Sequence, residues 1–280
     1  MTPTHLPVPA IDHVVINARD RLDEAAAVYH RLGFKLTPRG HHTLGSSNNL
    51  AVLGTDYIEL LGVVPNEART DVLDWPAGLN GLVFKTFDSD GTFAALRDAG
   101  LPVLPPQDFS RPVELPDGVH DAAFRTVRVE RAAMPAGRLF FCHHLTPELV
   151  WNDAWRRHPN GTLGIQRAVV CATDPAGLGQ LFARLFGKGS VRQTADGCSL
   201  AAGLAHIDVV TQSAIDSEFG AAAPEPEGRE QFMAALTLRT FSLDGTAAAF
   251  RAGAIASVQD ARSITVPATS ACGVTLIFQD

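Results

Sequence analysis

The feature that most constrains this 280-residue chain is an internal repeat. Thr86-Phe87-Asp88-Ser89-Asp90-Gly91-Thr92 reappears as Thr240-Phe241-Ser242-Leu243-Asp244-Gly245-Thr246, an offset of 154 residues from Thr86 to Thr240. A fainter pair has nearly the same spacing. His13-Val14-Val15 leads to Arg31-Leu32-Gly33-Phe34, and Ala168-Val169-Val170 leads to Arg184-Leu185-Phe186-Gly187, an offset of 155 from His13 to Ala168. Two unrelated stretches with almost one offset predict a duplicated half.

Each half divides again. Residues 11–18 are β-rich, and residues 22–32 place Leu22, Ala25, Ala26, Tyr29 and Leu32 on one helical side, with Gly33 as the C-cap. Alternating segments at 35–43, 48–53 and 57–63 follow, broken by Gly45 and Gly54. The order is strand, helix and three strands. It restarts at 79–87, with a helix over 91–99 and strands near 102–115, 121–130 and 138–145. The third unit starts near Gly164, with a helix over 178–186 and strands near 190–195, 198–202 and 206–211. The fourth starts near Phe232, with a helix over 244–252 and strands near 255–259, 262–266 and 273–279. Two linkers are expected: Pro147–Gly161, with Trp151 and Trp155 clamping it near His158-Pro159, and the acidic, Pro-rich 216–228. The domain boundary falls near 155, giving domains 1–154 and 155–280.

Composition narrows the function classes. The chain is 46% hydrophobic and 19% charged, with a net charge of −7 and no basic stripe, which excludes a disordered chain and argues against a nucleic-acid binder. No apolar run reaches the roughly 18–20 residues of a membrane helix. Met1 to Ala10 does not read as a signal peptide. Cys142, Cys171, Cys198 and Cys272 lie far apart, as buried free thiols in a reducing compartment would. The expectation is a cytoplasmic protein with a small-molecule ligand, no membrane partner, and a homodimer as its oligomeric form.

The stretch Ile11-Asp12-His13-Val14-Val15-Ile16, the following helix, Leu32-Gly33-Phe34 and Tyr57-Ile58-Glu59-Leu60-Leu61 resemble the first module of the vicinal-oxygen-chelate superfamily. That superfamily includes glyoxalases, extradiol dioxygenases and fosfomycin-resistance proteins. Gly45-Ser46-Ser47-Asn48-Asn49-Leu50 and the run from Phe140 to Trp151 are similar, more narrowly, to bacterial glyoxalase-like domain proteins. The resemblance implies an α+β fold of four βαβββ modules paired into two open barrels, the glyoxalase/bleomycin-resistance/dihydroxybiphenyl-dioxygenase fold. It also implies a divalent metal (Fe, Mn, Ni, Co or Zn) held by His, Glu or Gln from the first and last strands of each module. Open coordination positions would let the ion act as a Lewis acid.

The resemblance places His13 and Glu59 on two ligand positions, and both are also the implied catalytic residues. Counting from the repeat puts Leu82 and Phe141 on the matching positions of the second module, and neither binds metal. His143 lies two residues beyond Phe141 with the same side-chain direction; a register shift of one would bring in His144 instead. A two-His-one-carboxylate site of His13, Glu59 and one of His143 and His144 follows. A plainer reading makes His13 a cavity-lining histidine bonded to substrate or Glu59, and Glu59 a strand-end carboxylate. Asn48, His42 and Arg125 are candidate substrate-binding residues, with His41, Asn49 and Arg128 nearby in sequence; Asn48 and Asn49 face opposite sides, so one of them reaches substrate. His120 and Asp121 read as turn residues, and Cys142 lacks a base. In the second half Ala168, Leu236 and Ile277 fill the corresponding positions and only Asp208 is acidic, which counts against a two-domain extradiol-type dioxygenase. Two functions remain: a metal-assisted lyase or isomerase acting on a small oxygenated carbonyl compound in the N-terminal cavity, or a metal-free protein that sequesters a small molecule there.

Overall fold

A computed structural model of the chain describes Leu6 and residues 9–64, 69–115 and 117–280. Most of the N-terminal stretch read for a signal peptide, and part of the loop between the fourth and fifth strands, lie outside the described residues. Two eight-stranded mixed sheets carry the architecture. The first contains β1 (Ile11–Arg19), β2 (Gly40–His42), β3 (Ser46–Val52), β4 (Tyr57–Gly62), β5 (Gly78–Lys85), β6 (Gln107–Leu115), β7 (Gly118–Arg128) and β8 (Arg138–His144). Its order, β2-β3-β4-β1-β5-β8-β7-β6, puts the first strands of two modules side by side and antiparallel, each flanked by its own last strand in parallel. The second sheet contains β9 (Thr162–Ala172), β10 (Val191–Thr194), β11 (Gly197–Ala202), β12 (Ala205–Val210), β13 (Gln231–Thr240), β14 (Val258–Gln259), β15 (Ile264–Val266) and β16 (Thr275–Gln279) in the matching order. This is the α+β arrangement of four βαβββ modules in two paired halves.

The first sheet curls until its edges nearly meet. The Thr43 N–H, one residue past β2, donates to the Ser110 carbonyl on β6 at 2.9 Å, and the Ser110 N–H donates to Thr43 Oγ1 at 3.1 Å. A sheet that closes in this way covers its own edges and encloses its concave face.

The repeated sequence is a strand end joined to a helix start. Asp88 caps α2 (Ser89–Asp98) by accepting from the Gly91 N–H at 2.9 Å, and Ser242 caps α5 (Leu243–Ala252) by accepting from the Gly245 N–H at 3.3 Å. These caps satisfy backbone donors that the first helical turn leaves free. The threonines pair inside each copy, Thr86 with Thr92 at 2.7 Å and Thr240 with Thr246 at 2.9 Å.

Helices α1 (Leu22–Arg31), α2, α3 (Pro175–Phe186) and α5 cover the convex faces of both sheets. Their apolar residues join Val14, Ile16, Leu82 and Phe141 of the first sheet and Ala168, Val170 and Leu236 of the second in one continuous core. The stretch Pro147–Gly161 is pinned to the first barrel. Trp151 packs edge-on to Tyr57 with centroids 5.6 Å apart, and His158 Nε2 donates to the Val52 carbonyl at 2.9 Å while its Nδ1 accepts from the Lys35 N–H at 3.0 Å.

The second expected linker is different. Residues 212–219 form a helix, α4 (Gln212–Phe219), capped by the Thr211 hydroxyl. Its Ile215 and Phe219 are buried against Val169, Cys171, Val210, Phe232 and Ile277, which fills the concave face of the second sheet. An apolar pair spaced by four residues inside an otherwise polar segment was too short a pattern to mark a helix.

Candidate functional site

Strand alternation decides which side chains enter the first barrel. On β1, Val14, Ile16 and Ala18 join the core under the helices, while His13 and Val15 face the concave side. On β3 and β4 the inward residues are Asn48, Leu50, Tyr57, Glu59 and Leu61. They line a cavity of about 170 Å³, a size suited to a small molecule.

Neighbours on a strand should point to opposite faces, yet Asp12 and His13 meet. The register of β1 against β5 shifts between Ile11 and His13, and this bulge turns Asp12 toward the concave side. Asp12 Oδ1 then lies 2.7 Å from His13 Nδ1 and 2.9 Å from His144 Nε2. Burial alone would push the Asp12 carboxyl up, but the hydrogen bonds and charge of the two histidines outweigh it and hold the carboxyl well below the ordinary carboxylate range. His13 is stacked on Tyr57, with ring centroids 4.3 Å apart and planes 13° from parallel. The imidazole is therefore fixed at one nitrogen and across one face. With Nδ1 turned to Asp12, His13 presents Nε2 to the cavity, as a lone pair whenever that nitrogen carries no proton.

Opposite that lone pair sits Glu59, its Oε2 3.7 Å from His13 Nε2. The other oxygen, Oε1, accepts from Asn48 Nδ2 at 2.7 Å and lies 3.8 Å from His42 Nε2. Asn48 Nδ2 also stands 3.1 Å from His42 Nε2, and His42 Nδ1 reaches Ser46 Oγ at 3.0 Å. The chain is consistent if His42 donates from Nδ1 and accepts at Nε2. Burial works against ionisation of Glu59; the nearby His13 and His42, the Asn48 hydrogen bond and Arg69 prevail, and the carboxyl titrates lower than usual. Gly40 permits this packing, since a Cβ there would lie 2.5 Å from Asn48 Oδ1 and 2.8 Å from Arg111 Cδ.

The donor set fits a divalent cation. His13 Nε2 and Glu59 Oε2 face each other across 3.7 Å, so the place between them takes either a proton or, with Nε2 unprotonated, a metal ion. His42 Nε2 lies at the other oxygen of the carboxylate and takes the Asn48 amide, so it flanks this pair and does not complete it. Among the described residues, Asp12, Cys142 and His144 also bring ligand atoms within 4.8 Å of one another. There, however, burial and the carboxylates of Asp12 and Glu59 push the Cys142 thiol well up, and Asp12 Oδ1 is already shared by two histidines.

The other sequence candidates are distributed by alternation. His144 falls on the cavity side of β8 with Phe140 and Cys142, its ring 5.1 Å from Phe124; His143 shares the opposite face with Leu139 and Phe141. Counting from the repeat was therefore one residue out. Leu82 and Phe141 belong to the core under the helices, and the cavity-facing residues of the second module are Gly81, Val83, Phe140 and Cys142. Arg125 lies on the outer face of β7, bonded to Asp90 and Asp108 at 2.8 Å each, whereas Arg128 lines the cavity. Asn49 turns outward, accepting from Arg39 Nε at 2.9 Å. His41 contacts Ser47 outside the cavity, and exposed His120 pairs with Asp117 in the β6–β7 turn region. The second sheet shows the same shift. Val15 pairs with Glu59 and Val169 with Asp208, so Arg167 and Asp208 occupy the places of His13 and Glu59. They are bonded at 2.6 Å, an ion pair where the first barrel has an open pair.

Several site residues were not singled out from the sequence. Asp12 needed the bulge to be seen. Arg111 and Arg138 are inward residues on β6 and β8, and Arg69 lies before β5; nothing in their local pattern distinguishes them from surface arginines. Arg111 is 4% exposed, and burial lowers its pKa against the opposing pull of Tyr57 and Glu59.

Comparisons with known proteins agree with this geometry. No curated protein matches the chain. Among solved structures, a hypothetical protein from Staphylococcus aureus superposes with a TM-score of 0.66 at 12% identity, over 97% of this chain and 99% of that one. A mutant of 4-hydroxymandelate synthase from Streptomyces coelicolor gives 0.62 at 11% identity, over 98% and 94%. A xylose isomerase-like TIM barrel/4-hydroxyphenylpyruvate dioxygenase fusion protein gives 0.56 at 10% identity, over 97% of this chain and 48% of that one. At such identities these likenesses speak for the fold. The family profile described as "Glyoxalase-like domain" matches residues 11–186, the whole first barrel and the start of the second. With its modules paired in the vicinal-oxygen-chelate manner, the chain belongs to the glyoxalase-like domain family.

Proposed function

We propose that the first barrel is a metal-assisted lyase or isomerase site for a small oxygenated carbonyl compound. The observation that carries this reading is the open pair of His13 Nε2 and Glu59 Oε2, 3.7 Å apart in the cavity, with His13 tied back to Asp12. Glu59, held ionised, takes a proton from the carbon beside the carbonyl and returns it to the neighbouring atom of the same ligand. Arg111, buried in the cavity wall, lends positive charge to the oxygen that becomes negative. A divalent metal, held by His13 and Glu59, would supply Lewis-acid polarisation of that oxygen when bound. Phe109 and Phe124, stacked with centroids 5.1 Å apart, keep the far wall apolar and water out.

One observation favours a second reading, a metal-free protein that sequesters its ligand. The second module offers the cavity Gly81, Val83 and Phe140 and no further imidazole or carboxylate of its own on β5.

Metal analysis of protein purified without added metal decides between them, with a His13→Ala/Glu59→Gln double variant as control. The enzyme reading expects near-stoichiometric Mn, Fe, Ni, Co or Zn in the wild type, a rise in Tm on adding the ion, and neither in the variant. A wild type that holds no metal, gains no stability and matches the variant overturns it.

A further inference from the structure

The cavity has a second charged wall. Five of its lining residues are arginines against three carboxylates, in a chain whose net charge is −7. Arg138 is the extreme case. Its Nε, Nη1 and Nη2 are all shut off from solvent and have no hydrogen-bond partner among the described residues. Arg128 Nε is in the same condition, and the Gln107 Oε1 beside them is likewise unpartnered. Arg69 adds a third cation here but is engaged by Asp71 at 2.9 Å. Glu59 is occupied by Asn48 and faces the two histidines.

A buried guanidinium with none of its donors hydrogen-bonded is costly, and a bound group from outside the chain would satisfy it. Burial, with help from the charge of Arg69 and against the weaker pull of Asp71 and Glu59, pushes the Arg138 pKa down to about 10, so the group is still a cation at neutral pH. A planar fork of donors matches the paired oxygens of a carboxylate or a phosphate. Phe109, Phe124 and Phe140 give the same cavity apolar lining.

We infer that Arg138, supported by Arg128, binds an oxyanion group of the ligand on the β8 wall of the cavity, three strands across the sheet from Glu59. The ligand is thus an organic acid or phospho-compound with its anionic head on Arg138. That its carbonyl end then faces Glu59 rests on the proposed function; the oxyanion site itself does not.

Calorimetric titration of the full chain with levulinate, its neutral methyl ester and inorganic phosphate tests the inference, using wild type, Arg138→Met, Arg138→Lys and Glu59→Gln. Levulinate or phosphate should bind the wild type, at least tenfold tighter than the ester. Arg138→Met should lose at least tenfold in anion affinity, Arg138→Lys should recover part of it, and Glu59→Gln should keep it. Arg138→Met should melt at or above the wild-type temperature, which separates loss of a site from loss of the fold. The stronger of the two anions identifies the head group. Equal binding of acid and ester, no anion binding to wild type, or unchanged binding to Arg138→Met overturns the inference. Anion binding by a wild type that takes up no metal overturns the metal-assisted reading alone.

Discussion

Asp12 Oδ1 lies 2.7 Å from His13 Nδ1 although the two residues are neighbours on one strand. A bulge in β1 makes the contact, and the same carboxylate oxygen takes a second hydrogen bond from His144 on β8. The result is an imidazole whose free nitrogen is aimed at Glu59 by a buried charge. Asp12 acts through His13 as a positioning residue.

Replacing Asp12 by Asn keeps the shape and removes the charge. Proton exchange on a bound carbonyl compound should fall about 100-fold or more, with little change in affinity, as followed by NMR. The stability effect has a direction in pH. The folded carboxyl titrates below its unfolded value of about 4, so its contribution is present above about pH 4 and is lost as pH falls further. Urea unfolding of wild type and Asp12→Asn should therefore differ near neutral pH and converge in acid.

Asp56 has the opposite sign. Its Oδ1 accepts from the Ile165 N–H at 3.0 Å, which joins the first barrel to β9, and burial pushes its carboxyl up to about 6. The protonated form favours the folded state, so this contribution is present below about pH 4 and is lost as pH rises through about 6. Asp56→Asn keeps the acceptor and cannot ionise. It should exceed wild type in stability by about 2–3 kcal/mol above pH 7 and match it near pH 4.

The helix that fills the second barrel should behave as core. Ile215 is fully buried, and Ile215→Ala should cost about 2–5 kcal/mol in urea unfolding. A cost below 1 kcal/mol would show that α4 leaves the concave face open in solution.

Much of the architecture was legible because it is periodic. The 154-residue offset fell on the caps of α2 and α5, and the strand-helix-strand order followed from alternation and glycine breaks. The fine register was not. An offset of 155 led to Ala168 where 154 leads to Arg167, and a one-residue slip exchanges the two faces of a strand. The same slip placed Leu82 and Phe141 on the cavity side. Bulges are what moved the register, and a bulge at Asp12 leaves no mark on a sequence that reads simply as β-rich. His13, Glu59, Asn48 and His42 stand out as polar residues inside apolar strands. Arg138 does not, because an arginine on a strand is ordinary until its partners prove to be missing.

The most direct test of the account is deuterium incorporation from D2O into levulinate at the carbons beside its carbonyl, measured by NMR with wild type and Glu59→Gln, each supplied with Mn, Fe, Ni, Co or Zn. The account predicts metal-dependent exchange by wild type well above the buffer rate, reduced about 100-fold or more in Glu59→Gln. Exchange at the buffer rate under binding conditions, or equal exchange by the two proteins, would contradict it.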